Sequence, residues 1–432
     1  MPEAQAGRSP SPAERKKVLP LHWKKPFYGW IVCVMGALLL FITMGVMSNI
    51  FPVFLPYVES QNGLTGTQGS FLVTLRCLVS FCSMLLIGQY YKKFSLRVGM
   101  SIAALLGGAS FCLYSASRTY AMLCAASTLC GLSYGLGTMI PVSILMNNWF
   151  HTRKALSLGI CATGSGIASF LLPTLTTRII ENLSLSQAFL IEGLGIFVIT
   201  AVFFLLVRDK PADKGLEPYG CGQPPTPVEP DCQTAAGARQ EMRRPVRLLL
   251  IFASLFMGAV AGSGSAHMPI LYTVEGYDAM TVSYFIAAVG IIGVFAKLLY
   301  GQVTDRIGGR RSSFLFSAIL MAGHIFCCLS FIRSIPVIVV TALLLGIGYP
   351  IVTIGPAVWA GDMDSPDHFA RTVRVLQLSY AGGSLLFSEI PGILYDASGS
   401  YIPAYILFSS LMALELLFLV ISYRKQAARA AK

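Results

Sequence analysis

The sequence predicts an all-α integral membrane protein with twelve transmembrane helices arranged as two six-helix bundles. Three observations predict it. Of 432 residues, 55% are hydrophobic and only 12% charged, against about 25% charged in soluble domains. The apolar residues fall in uninterrupted stretches of about 20, the length a helix needs to cross ~30 Å of hydrocarbon. One long polar interruption, residues 209–246, has six such stretches before it and six after. This pattern excludes soluble enzymes, nucleic-acid binders and secreted scaffolds.

The elements follow in chain order. Residues 1–28 form a polar, basic tail, and the apolar run after it is too long for the core of a signal peptide. The first bundle, 29–208, carries spans at about 29–54, 69–91, 98–117, 120–146, 155–177 and 186–207. Residues 209–246 hold seven prolines and four glycines with mixed charge, and read as a flexible linker. The second bundle, 247–423, carries spans at about 248–273, 279–301, 312–332, 336–360, 373–394 and 402–423, and residues 424–432 form a second short tail.

The net charge of +12 is a topology signal. With these approximate spans, and Arg374 at the edge of span 11 counted with the loop before it, 27 lysines and arginines gather on the side of the termini and the linker. Three (Arg118, Arg178 and Arg333) gather on the other, and Arg76 and Lys297 lie inside spans. Basic loops stay in the cytoplasm, so both termini are expected there, in a multi-pass protein of the plasma or inner membrane. Nucleic acid is not an expected partner; the lipid bilayer is. Nine of eleven cysteines lie in spans, and Cys221 and Cys232 lie in the linker. None falls on the external side, so no structural disulfide is expected. No metal spacing and no cofactor motif is present.

The two halves repeat. Gly88-Gln89-Tyr90-Tyr91-Lys92-Lys93 follows span 2 as Gly301-Gln302-Val303-Thr304-Asp305-Arg306 follows span 8, with Arg97 and Arg310 at matched places. Parallel six-helix repeats are the plan of one large class of secondary transporters. The run Gly301-x-x-x-Asp305-Arg306-x-Gly308-x-Arg310-Arg311 resembles the loop signature of the major facilitator superfamily. Asp305 is suited to accept hydrogen bonds at the positive end of a helix in the other half, with Arg306 as a brace. Such a latch would hold one face shut. The first-half copy has Lys92 where the acid belongs.

Further segments resemble the monocarboxylate transporter and oxalate:formate antiporter branch. They are Pro26-Phe27-Tyr28-Gly29-Trp30 before span 1, Trp149-Phe150-His151-x-Arg153-Lys154 between spans 4 and 5, Pro391-Gly392-x-x-Tyr395-Asp396 in span 11, and Pro218-Tyr219-Gly220 in the linker. The resemblance implies a carrier that works as a monomer. It also implies a role for Lys297, four residues before Gly301, where carboxylate carriers of this branch have an essential Arg. A cation in a dry cavity is what a carboxylate needs as counter-ion, although a lysine near a span end also has the reach to snorkel to the interface.

Other intramembrane polar groups are candidates on weaker grounds. Arg76 in span 2 is a second anion site or gate, or a snorkelling cation. His267 in span 7 and Glu389 in span 11 are candidates for proton coupling. Tyr134, Tyr349 and Tyr380, like Tyr272, Tyr284 and Trp359, lie on spans that face the cavity in this fold and would shape a pocket. Glycines 131, 135, 137, 159, 164 and 166 permit close helix contact. Glu192, His324 and Glu415 fall on peripheral spans and read as structural.

No ATP-binding loop and no hydrolase motif is present, so an enzyme is not expected. The acid that proton-coupled members of the branch resemble one another in, one turn before the cation, is Gly293 here, and Gly382 stands where the oxalate exchanger has a second Lys. The expected function is therefore secondary active transport of a small, monocarboxylate-like organic anion by alternating access, driven by protons or anion exchange. The alternatives are a carrier or exporter of a larger, less charged solute and, in another class, a transporter-like ligand sensor.

Overall fold

A computed structural model describes residues 27–64, 66–221 and 241–430. The rest, which includes most of the N-terminal tail, Pro26, Cys232 and the middle of the linker, lies outside the described residues.

Among the described residues, twelve helical rods run in chain order. In the first half, α1 covers 29–62, α2 Gly66–Lys93, α3 Leu96–Ala116, α4 Tyr120–Trp149, α5 Lys154–Asn182 and α6 Leu185–Leu206. In the second, α7 covers 244–274, α8 Ala279–Ile307, α9 Gly309–Cys327, α10 Ile335–Met363, α11 369–398 and α12 Ile402–Ala430. Each falls on one of the twelve expected spans. Ten rods are long and apolar enough to cross a membrane by length and composition. The exceptions are α9, which opens on Arg310 and Arg311, and α11, which breaks at 387–389 into Phe369–Leu386 and Ile390–Ser398.

Helix ends follow local chemistry. The hydroxyls of Ser95, Thr119 and Ser184 accept from the third backbone N–H of α3, α4 and α6, and Asp278 accepts from Thr281 N at 2.9 Å to start α8. Gly308 has φ +85°, a backbone state that side chains resist, and it turns the chain from α8 into α9.

Two rods contain π-helical stretches at matched places, Phe41–Ile50 in α1 and Val260–Gly264 in α7. The wider turn displaces carbonyls, which then need outside donors. Arg76 Nη1 donates to Met47 O and Ser48 O in the first, and Tyr405 Oη donates to Gly264 O at 2.7 Å in the second.

Within the first half, α3 packs on α4 and α6, α2 on α4, and α1 on α5; in the second, α9 packs on α10 and α12, and α7 on α11 and α12. The halves meet chiefly where α5 runs along α8, with smaller contacts of α11 on α2 and α4 and of α10 on α5. The glycines divide accordingly. Gly159 and Gly166 let α5 approach Lys297 and Val294 of α8, whereas Gly131, Gly135, Gly137 and Gly164 tighten contacts inside the first half.

Three of the segments singled out by sequence converge. Tyr219 N donates to Trp149 O at 2.9 Å and His151 N to Tyr219 O at 3.0 Å, pinning the start of the linker to the α4–α5 loop. Around that bridge Phe27, Trp30, Phe150 and Tyr219 pack ring against ring, with centroids 5.1–6.0 Å apart.

Candidate functional site

The α5–α8 seam is built from small residues and two charges, Asp305 and Lys297. Near its basic end, Gly301 presses against the Ala155 and Leu156 backbone, where any side chain would collide. Four residues on, Asp305 accepts from Ala155 N at 3.1 Å and Leu156 N at 2.9 Å, the open N–H groups of the first turn of α5. The positive end of the helix dipole favours a carboxylate there. The charge that also acts on Asp305 is Arg153, from the other half. Arg306 is exposed, and it makes no ion pair with Asp305 among the described residues. Arg310 is half-buried, and Arg311 is exposed.

Lys297 lies eight residues before Asp305, about 12 Å further along α8. Its ammonium turns sideways into the seam rather than toward an interface, donating to Ala162 O at 2.9 Å and Ser165 Oγ at 3.1 Å of α5. The snorkelling geometry is not the one adopted. No carboxylate lies within ion-pair distance of Lys297 among the described residues.

The ammonium borders a cavity of about 310 Å³ between the halves. One wall is polar and belongs to the first half. Asn49 Nδ2 donates to Ser169 Oγ at 2.7 Å, and Ser169 sits one turn along α5 from Ser165. The opposite wall is apolar: Phe285, Ile286, Val289 and Val294 of α8, and Met268 and Pro269 of α7. Gly290 and Gly293, on the same face of α8 as Lys297, expose bare backbone to the space. Tyr349 and Thr353 of α10 and Ser265 of α7 complete the lining. Lys297 is the one charged residue in it.

Several residues singled out by sequence lie elsewhere. Arg76 is buried in the first half, over the Phe51 ring at 5.4 Å and bonded to the π-stretch of α1; it is not a lining residue and does not reach for headgroups. Tyr134 and Tyr380 are not in the lining, though Tyr380 lies within electrostatic reach of both Tyr134 and Tyr349. Tyr272 and Trp359 are fully buried in the second half, and Tyr284 points outward, 68% exposed.

His267 bonds Ser263 O at 2.9 Å and lies beside Tyr401. Glu389 is exposed at the break in α11, and no side-chain bond to Arg76 or His267 is made there. Glu192 and Glu415 are held by Thr176 and by Ser317, the latter at 3.0 Å, inside their own halves. No group of three or more metal-ligating side chains occurs among the described residues.

Asn49, Ser165 and Ser169 were not singled out from sequence. The signal was present: Asn49 is the one amide in the 29–54 span, and Ser165 and Ser169 are hydroxyls at i and i+4 in an apolar helix.

Comparison with known proteins agrees with this architecture. A family model described as Major Facilitator Superfamily matches residues 36–308 and 286–432. Monocarboxylate transporter 12 of Mus musculus is 24% identical over 406 residues, covering 88% of this chain and 82% of the mouse protein. An MFS-type transporter of Aspergillus fumigatus is 22% identical over 378 residues, covering 85% of this chain and 84% of its own length. Among solved structures, the fucose:proton symporter FucP of E. coli (N162A) superposes with a TM-score of 0.68 at 13% identity, covering 92% of this chain and 99% of FucP. The chain belongs to the major facilitator superfamily, a family of carriers and not of enzymes, and its relatives include members of the monocarboxylate-transporter branch.

Proposed function

We propose that the protein is a secondary active carrier of small, monocarboxylate-like organic anions, with Lys297 as the substrate's counter-ion. One observation carries the reading. Among the described residues, Lys297 is the sole charge lining the central cavity, bonds only to a carbonyl and a hydroxyl, and faces no carboxylate. A cation inside the bilayer is costly, so its retention calls for a charge it serves. An incoming carboxylate supplies that charge. Because the bonds that Lys297 gives up belong to the other half, substrate capture also loosens the α5–α8 seam.

Alternating access then uses Asp305 as the releasable latch, with Gly301 and Gly308 setting its geometry and Arg310 and Arg311 nearby. Protons or a counter-anion drive the cycle. His267 and Glu389 lie off the cavity lining, which favours anion exchange over a proton relay through them. Both termini face the cytoplasm of the cell membrane, as the basic loops imply, and the monomer is the transporting unit. A reporter fused after Lys432 should therefore read cytoplasmic and one at Asn62 external.

The runner-up, a carrier for a bulkier solute, draws on the cavity's apolar wall. Counterflow in proteoliposomes against mono- and dicarboxylates tests the leading reading. Lys297→Gln should abolish saturable anion counterflow, and Lys297→Arg should retain it. Wild-type-like counterflow by the Gln variant at matched protein levels contradicts the proposal.

A further inference from the structure

Resting on the assignment of Lys297 as counter-ion, we infer that the cavity selects a particular kind of anion: a monocarboxylate with a flat, aryl-sized apolar body and a hydrogen-bond donor at its far end. Four features of the lining lead there.

The first is charge. Lys297 is the one charged lining residue, so a second carboxylate would be buried without a partner. Dianions are excluded.

The second is size. The cavity's 310 Å³ corresponds to room for roughly ten waters at ~30 Å³ each. A two- or three-carbon acid would leave most of that to water against an apolar wall, which gains nothing from the burial.

The third is shape. Gly290 and Gly293 precede Lys297 by seven and four residues, placing all three on one face of α8. A Cβ built at Gly290 meets nothing within 4 Å, and one at Gly293 meets only Gly346 O at 3.9 Å. Neither glycine is therefore required by packing against another helix. Together they leave a side-chain-free strip beside the ammonium, flanked by Phe285, Val289 and Val294. A planar ring fits such a strip; a branched or globular body does not.

The fourth is the polar wall. Asn49 spends its amide N–H on Ser169, and its Oδ1 accepts from no described residue. Ser169 lies four residues along α5 from Ser165, which holds the ammonium, a separation of about 6 Å. Asn49, bonded to Ser169 one turn beyond Ser165, thus leaves an acceptor for a donor at the end of the acid away from its carboxylate.

The test is competition for counterflow by the full-length protein in proteoliposomes, using acetate, phenylacetate, 4-hydroxyphenylacetate and succinate. Phenylacetate should compete at least tenfold better than acetate, the 4-hydroxy acid several-fold better again, and succinate should not compete. Gly290→Ala and Gly293→Ala have room for the added methyl, so folding is spared. Each should weaken phenylacetate by roughly tenfold more than it weakens acetate. Asn49→Ala should remove the advantage of the 4-hydroxy acid alone.

Acetate equal to phenylacetate in the wild type, or glycine variants that weaken both acids alike, overturns this inference while leaving Lys297 as counter-ion. If no acid competes, the anion assignment falls, and this inference with it.

Discussion

The two halves meet along two seams that the internal repeat makes equivalent, α5 against α8 and α2 against α11, and the two are closed by different chemistry. On the first, Gly301 abuts backbone, Asp305 caps the first turn of α5, and Lys297 bonds α5 one level deeper. On the second, Gly88 abuts the Arg374 guanidinium, Lys92 occupies the acid's position, and the residue four before the glycine is Met84, buried and apolar. One seam is therefore held by charged groups bonded across it, and the other by an arginine side chain resting on a glycine. Repeat symmetry built the scaffold, and loss of that symmetry placed the chemistry on one side.

Four predictions break or sharpen this contrast. Making the first seam resemble the second has the largest expected effect. Lys297→Met should lower saturable anion uptake at least 100-fold, because a buried carboxylate without a partner costs several kcal/mol and each ~1.4 kcal/mol is tenfold. Met84→Leu, a swap of similar volume, should keep uptake within about twofold.

The glycines come next. An added Cβ at Gly301 lies 2.7 Å from Ala155 O and from Leu156 Cα, neither of which moves without the helix. Gly301→Ala should cost the closed seam ~1–3 kcal/mol, seen as faster thiol labelling of residues in the seam and slower turnover. At Gly88 the collision is with the tip of Arg374, which can swing aside. Gly88→Ala should label and transport like wild type.

The latch should be weaker still. Asp305→Asn keeps the size but removes the charge at the helix end, worth ~0.3–2 kcal/mol, so turnover should fall by about two- to thirtyfold with expression intact. Lys92→Asn on the other seam should be silent. Equal effects at 305 and 92 would argue that the seams work alike.

The smallest effect on transport concerns the linker. Tyr219→Ala removes ring contacts with Phe27, Trp30 and Phe150, each worth ~0.5–1.5 kcal/mol. It should lower the melting temperature by a few degrees and leave anion selectivity unchanged in the competition assay.

The fold was legible because its causes are local. Apolar length, the 209–246 interruption and the Gly301–Arg311 signature all report the solvent and the repeat. Lys297 was legible for the same reason, since a charge in a span stands out. The partners of intramembrane charges were not. Arg76 looked like a gate because its position in α2 is visible in the sequence, whereas the displaced carbonyls of Met47 and Ser48 arise only once α1 adopts its π-turns. Similarly, Asp305 could be matched to a helix end, but the choice of Arg153 over Arg306 as its neighbouring charge depends on how α5 and α8 dock. The aromatic segments were recognised one by one, and only folding brings Phe27, Phe150 and Tyr219 into one cluster.

The central claim is that the anion binds at Lys297 on the α5–α8 seam. Substrate protection of a cysteine placed at Gly293, one turn from the ammonium, in a background stripped of native cysteines, tests it most directly. The acid that gives the strongest counterflow should slow labelling of that cysteine several-fold when Lys297 is present, and not at all when Lys297→Gln is added. Equal protection in both backgrounds would contradict the account, because the anion would then be held without the lysine.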